Sequence, residues 1–366
     1  MTASSKNAAS IASVEPAARS SRAPKVQPLS PARYVEGVLS GDRSILARAI
    51  TLIESSRPAD RAMASQIVEA CLPSSGNSIR VGITGVPGAG KSSLIEALGK
   101  YLIQDRSEKV AVLAIDPSSE ISGGSILGDK TRMTFLAASP SAFIRPSPAR
   151  GSAGGVAHHT RDAMILCEAA GYKNIFIETV GVGQSETAVR EMVDFLLLTA
   201  LAGAGDELQG IKRGVMEMAD VIAVNKTDGN NIAAAERARV ETENALHFFP
   251  AARSGWTPRA ISCSAQTGRG IASIWAAILE HQSITKANGW LDRVRREQQL
   301  RWMNAAIEQG LHRLFHSHPA ILRNLKTLEQ DVLEGRVSPL RAASSLLETY
   351  ALQDPIPIKK TRKPSR

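Results

Sequence analysis

The sequence predicts an α/β fold, a mostly parallel sheet flanked by helices, with a helical extension before it and a helical arm after it. Three observations carry that expectation. Short apolar runs rich in Val, Ile and Leu alternate with helical stretches between residues 76 and 284. A glycine-rich turn joins the first of those runs to a helix. Acidic and polar residues then stand at the carboxyl ends of the later runs, where ligands sit on open α/β sheets.

Taken in order, residues 1–30 are rich in Ser, Ala, Pro and Arg and lack an apolar core of secretory type, so a disordered tail is expected. Their Ser/Arg richness and poverty in acids leave a mitochondrial transit peptide open. Ser30-Pro31 reads as an N-cap followed by proline at the first helical position. Helices are expected at about 31–39, 43–55 and 59–71, making residues 31–75 a helical extension closed by the loop Ser74-Ser75-Gly76-Asn77. Strands are expected at 79–84, 109–115, 174–177, 195–201, 221–224 and 259–262, within a nucleotide-binding domain at 76–284. Apolar positions Leu291, Val294, Met303, Ile307, Leu311, Leu314 and Phe315 recur mostly every three or four residues and mark an amphipathic helix. Two further helices, at about 319–334 and from Ser338-Pro339 to about 352, complete an arm at 285–352. Residues 353–366 form a basic tail.

Composition sets the bounds. The chain has 366 residues, 43% hydrophobic and 22% charged, in the range of an ordinary globular protein. No apolar stretch reaches the length of a membrane span; the longest, Phe195 to Gly205, is interrupted by Thr199. Cys71, Cys167 and Cys263 lie far apart and form no CxxC pair, which favours a reducing compartment. The cytoplasm is expected, or the mitochondrial matrix if the N-terminal tail is a transit peptide. The net charge of +9 divides into +4 over residues 1–33 and +5 over 356–366, so residues 34–355 are neutral. The excess sits on the tails, and no nucleic-acid partner is expected.

The chemistry starts at Gly85-Val86-Pro87-Gly88-Ala89-Gly90-Lys91-Ser92, a full GxxxxGK[ST] match between a strand and a helix. Such a loop turns successive backbone N–H groups inward as a nest for phosphates, helped by the helix N-terminus. Lys91 would reach the β- and γ-phosphates, and the Ser92 hydroxyl suits Mg²⁺. Asp116, at a strand end, and Asp129, in the glycine-rich stretch after it, are candidate magnesium or water-positioning acids. A helix N-cap explains Asp116 and a solvated loop explains Asp129 as well. Glu178, followed three residues later by Gly181, has the arrangement of a γ-phosphate sensor. Gln184 could position water or serve as a structural loop amide. Arg132, Arg145 and Arg150 could each stabilise transition-state charge or form a surface ion pair.

Asn225-Lys226-Thr227-Asp228 closes a strand as NKxD. The Asp228 carboxylate can accept from guanine N1–H and the 2-amino group, a pair of donors adenine lacks. Ser264-Ala265-Gln266 follows a later strand and suits a guanine O6 contact through the Ala265 N–H. GTP and GDP are therefore expected over ATP. His158-His159 reads as a helix start or a partner-facing pair, with no Cys or His cluster nearby to make a metal site.

These motifs together resemble the ArgK/MeaB family of P-loop GTPases, chaperones of cobalamin-dependent acyl-CoA mutases. GVPGAGKSS, IDPSSEISGGSILGDKTRM, ETVGVGQSE, GAGDELQGIKRG, NKTD and SAQTGRG occur in the family's order, over about residues 35–350. The resemblance implies that Gly85 to Ser93 and Leu94 hold phosphates, with Ser92, Asp116, Asp129 and Glu178 near Mg²⁺. Lys91, Asp116, Asp129, Glu178 and Gln184 would be the catalytic set, and Asn225, Lys226, Asp228, Ser264, Ala265 and Gln266 would hold the base. It further implies a first switch around 123–133, a second at 178–186, and a partner-coupling loop carrying Asp206, Gln209 and Lys212. On spacing alone that last trio would be one face of a solvated helix. The resemblance implies a homodimer through the helical arm. It also implies an adenosylcobalamin-dependent acyl-CoA mutase as client, methylmalonyl-CoA mutase first among them. Thr227 and Gln266 depart slightly from the family pattern. A nickel-insertion GTPase, and a kinase of periplasmic transport-binding proteins, are the rival readings.

Overall fold

The computed structural model describes residues 29–55, 57–116, 132–148, 153–179, 185–201, 213–250 and 252–353. Seven strands form one sheet: β1 (Ile79–Gly85), β2 (Val110–Asp116), β3 (Ala142–Pro148), β4 (Asn174–Thr179), β5 (Phe195–Leu201), β6 (Val221–Asn225) and β7 (Arg259–Ser262). Their order across the sheet is β3-β2-β4-β1-β5-β6-β7, and every pairing is parallel. Parallel strands need crossovers, and both faces of such a sheet are covered by helices.

Side chains alternate between the two faces with the two-residue period of a strand. Ala111, Leu113, Ile115, Ile175, Ile177 and Leu196 enter one core. There they meet α1 (Pro31–Leu39), α2 (Arg43–Ile53) and α3 (Pro58–Cys71), the three helices of the N-terminal extension. Val81, Ile83, Val110, Val112, Phe176, Phe195 and Leu197 enter the other, beneath α4 (Lys91–Asp105). Ser30 caps α1, accepting from the Arg33 N–H at 3.4 Å ahead of Pro31.

The strand the sequence concealed is β3. Pro146 and Pro148 argue against a strand in its interior, and no strand was expected there. The structure accommodates them because β3 is an edge strand, paired with β2 alone. Before it in the chain lies α5 (Thr134–Ala138); after it come α6 (Ala153–Ala169), α7 (Ser185–Arg190), α8 (Arg213–Met218) and α9 (Ile232–Leu246). The C-terminal helices are α10 (Ile271–Ala287), α11 (Trp290–Ser317), α12 (Pro319–Leu333) and α13 (Pro339–Gln353). Helix α10 packs Ile271, Ile274 and Ile278 into the core beside α4. Among the described residues, no helix is long and apolar enough to cross a membrane.

Candidate functional site

The strand order brings the candidate residues together. β1 lies between β4 and β5, so its carboxyl end, Ile83 to Gly85, stands beside Glu178 and Thr179 on one side and Thr199 on the other. Gly85 has φ +147°, and a Cβ there would lie 2.3 Å from the Thr199 carbonyl oxygen. Gly90, at φ +87°, sits against Asn225, whose Nδ2 would be 2.6 Å from an added Cβ. Only glycine can make either approach.

The loop between them bounds a cavity of about 420 Å³ whose lining includes Gly88, Lys91, Ser92, Arg132, Glu178 and Thr179. Lys91 is nearly buried, and its Nζ donates to the carbonyls of Gly85 at 2.8 Å and Val86 at 3.3 Å. Burial lowers its pKa; Glu178 and Glu186 oppose that shift and Arg132 adds to it. The Ser92 hydroxyl donates to Glu178 Oε1 at 2.7 Å. Thr179 donates to Thr84 Oγ1 at 2.9 Å, tying the ends of β4 and β1. Pro87 and Ser93 also line the cavity. Leu94 is placed differently: its side chain is fully buried in the core and its N–H is engaged by Gly90 O at 2.8 Å. It anchors α4 and does not line the cavity.

A second corner lies at the ends of β6 and β7. Asn225 links the two corners: its Nδ2 donates to Ala89 O at 2.9 Å, and its Oδ1 accepts from the Ala265 N–H at 3.1 Å. A guanine O6 would therefore share or take over the donor the sequence assigned to it. The Ser264 hydroxyl donates to Asp228 Oδ2 at 2.5 Å and accepts from the Thr267 N–H at 3.1 Å, which fixes the carboxylate. Lys226 is exposed and holds φ +59°, a left-handed backbone uncommon for lysine. Gln266, on the loop after β7, is also exposed.

Asp116 ends β2, as expected, but its side chain lies outside the described residues, as do Asp129, Gln184, Asp206, Gln209 and Lys212. Arg145 is not at the cavity: it pairs with Glu54 and donates to Thr51 at 3.3 Å, holding β3 to the N-terminal extension. His158 and His159 sit within α6, half-buried and within electrostatic reach of Arg313 on α11. Thr84 and Thr179 are the residues sequence reasoning missed. Their signal, a threonine at each of two strand ends, means nothing until topology makes the strands neighbours.

A phosphate loop on β1, an acid on β4 and an NKxD corner locked to the loop define this chain as a P-loop GTPase. Residues 46–320 match the model of the family described as methylmalonyl Co-A mutase-associated GTPase MeaB, and the chain belongs to that family. It is 48% identical over 322 residues to GTPase ArgK of Escherichia coli strain K12, covering 87% of this chain and 97% of that one. It is 43% identical over 328 residues to the mouse protein named methylmalonic aciduria type A homolog, mitochondrial, covering 87% and 79%. A crystal structure described as LAO/AO transport system kinase has a TM-score of 0.68 and 37% identity, covering 90% of this chain and 99% of that one.

Proposed function

We propose that this GTPase gates cofactor loading or protection of an adenosylcobalamin-dependent acyl-CoA mutase, with methylmalonyl-CoA mutase as the client. The family description and the mouse relative's name support that client. The observation that carries the nucleotide chemistry is the Asn225 bridge, which holds the phosphate loop and the base corner in one frame.

In this reading, Gly85 to Ser93 wrap the phosphates and Lys91 leaves its carbonyl partners for the β- and γ-phosphates. Asp228, Asn225, Lys226 and the Ser264–Gln266 loop hold guanine. The facing oxygens of Ser92 and Glu178 are hard donors that suit Mg²⁺, completed by Asp116 and Asp129. Bound there, the ion would neutralise charge on the β- and γ-oxygens. Gln184 would position the attacking water. Release of the second switch, 178–186, after hydrolysis would change the surface a partner reads, with Asp206, Gln209 and Lys212 as the coupling loop. The client then responds because it binds the GTP and GDP states with different affinity.

Asp228→Asn tests the base assignment. It replaces an acceptor-only group with one that presents a donor to guanine N1–H. Competition binding should show GTP preference over ATP falling at least about tenfold. Unchanged selectivity would refute the assignment.

A further inference from the structure

Three arginines in or near the first switch were open between catalysis and surface pairing. The fold separates two of them: Arg145 is held by Glu54 and Thr51 away from the cavity, while Arg132 lines the cavity beside Lys91, Ser92 and Glu178. Among the described residues, Arg132 makes no ion pair.

The segment that follows it is fastened to the phosphate loop's own helix. The next residue, Met133, is fully buried. The Glu96 carboxylate on α4 accepts from the N–H groups of Phe135 at 2.6 Å and Leu136 at 3.1 Å. Leu136 packs so closely on Gly99 of α4 that an added Cβ would lie 2.6 Å from its Cδ2. The base of the arginine is thus tied to the element that carries Lys91 and Ser92, while its exposed side chain has reach at the cavity mouth.

We propose that Arg132 is a catalytic arginine supplied in cis, contacting oxygens of the γ-phosphate and stabilising the charge of the transition state. The proposal rests on the GTPase reading of the cavity. In the reaction, the water oxygen forms a bond to the γ-phosphorus as the bond from that phosphorus to the β–γ bridging oxygen breaks. The electron pair stays with the β-phosphate of GDP, and the water's protons leave with inorganic phosphate and solvent. Charge grows on the bridging and γ-oxygens, and a guanidinium can meet two of them with its planar fork. Lys91, a compact point charge directed at the β- and γ-phosphates, lacks that planar fork.

The test compares wild type, Arg132→Ala, Arg132→Lys, Lys91→Ala and Arg145→Ala in the full chain. Three readouts are needed: GTP and GDP affinity, single-turnover hydrolysis, and trapping of GDP with aluminium fluoride, which mimics the transferring phosphoryl group. Arg132→Ala should bind GTP and GDP within about threefold of wild type, hydrolyse at least about a hundredfold slower, and fail to trap aluminium fluoride. Arg132→Lys should recover part of the rate, and Arg145→Ala should hydrolyse as wild type does. Near-normal hydrolysis and trapping by Arg132→Ala would overturn the proposal and leave the GTPase reading standing. Loss of GTP and GDP binding as deep as that of Lys91→Ala would also overturn it, making Arg132 a ground-state binding residue. Failure of wild type itself to bind GTP would overturn both readings. If circular dichroism finds Arg132→Ala misfolded, Arg132→Gln, close in length but uncharged, carries the same comparison.

Discussion

Asp162 is a residue on which pH acts through burial. Burial pushes its carboxyl up to about 6, against the pull of His159 and Arg161. The folded protein therefore holds that proton more tightly than the unfolded chain, whose aspartates titrate near about pH 4. Stability from this group is fully present below about pH 4 and is lost as pH rises through about 6. The groups facing it are His158, whose Nδ1 lies 3.3 Å from its carboxylate, together with His159 and Arg161. Burial lowers the pKa of both histidines, so they resist charging and act in the opposite sense as pH falls. Asp162→Asn isolates the aspartate: at pH 7 the variant should be more stable than wild type by about 2 kcal/mol, and the gap should close by about pH 4. Urea unfolding at the two pH values checks this; equal stability at pH 7 would contradict it. Such a residue is invisible in the sequence, where Asp162 is one more polar residue on a helix. Lys91 and Ser92 were legible because the phosphate loop is local, eight residues bounded by a strand and a helix. Thr84, Thr179 and the Asn225–Ala89 bond were not, because their partners meet only through the strand order.

At the scale of elements, α11 shows what periodicity reveals and what it hides. Its apolar spacing from Leu291 to Phe315 predicted an amphipathic helix, and the helix runs Trp290–Ser317. The spacing did not show that its first half is fastened by polar side chains. Arg295 donates to Asp194 at 2.9 and 2.6 Å and to the carbonyls of Ser78, at 2.7 Å, and Gly76. Gln298 donates to Val193 O at 3.0 Å, and Trp302 to Glu191 O at 3.3 Å. These residues recur every three or four positions, so one stripe of the helix grips the segment just after α7. Removing one member of a buried charge pair leaves the other uncompensated. Arg295→Ala should lower unfolding free energy by about 3 kcal/mol, read as a lower urea midpoint. A change under about 1 kcal/mol would mean that the pair is solvated and that packing alone holds the arm. The edge strand β3 is the opposite case. No strand was expected there: prolines weigh against a strand interior, and sequence does not say which strand will lie at an edge.

For the whole molecule, the arm presents an unusual surface. Leu300, Ile307, Leu311 and Leu314 are 51–59% exposed along α11. An apolar row of that extent on one helix marks an interaction face, and a second copy of this chain is its proposed occupant. Ile307→Glu with Leu311→Glu should convert a dimer to a monomer in sedimentation velocity while leaving GTP affinity unchanged. A wild-type monomer at micromolar concentration would contradict the dimer. The neutral body between two basic tails fits an enzyme whose partners are proteins and nucleotides.

Nucleotide hydrolysis is proposed to answer to a client mutase. The most direct measurement is the single-turnover rate of GTP hydrolysis with and without adenosylcobalamin-dependent methylmalonyl-CoA mutase. The expected result is a slow rate alone and a rise of at least about tenfold with the mutase, as partner contact orders the catalytic segments. An unchanged rate, with no complex between the two proteins in either nucleotide state, would contradict it.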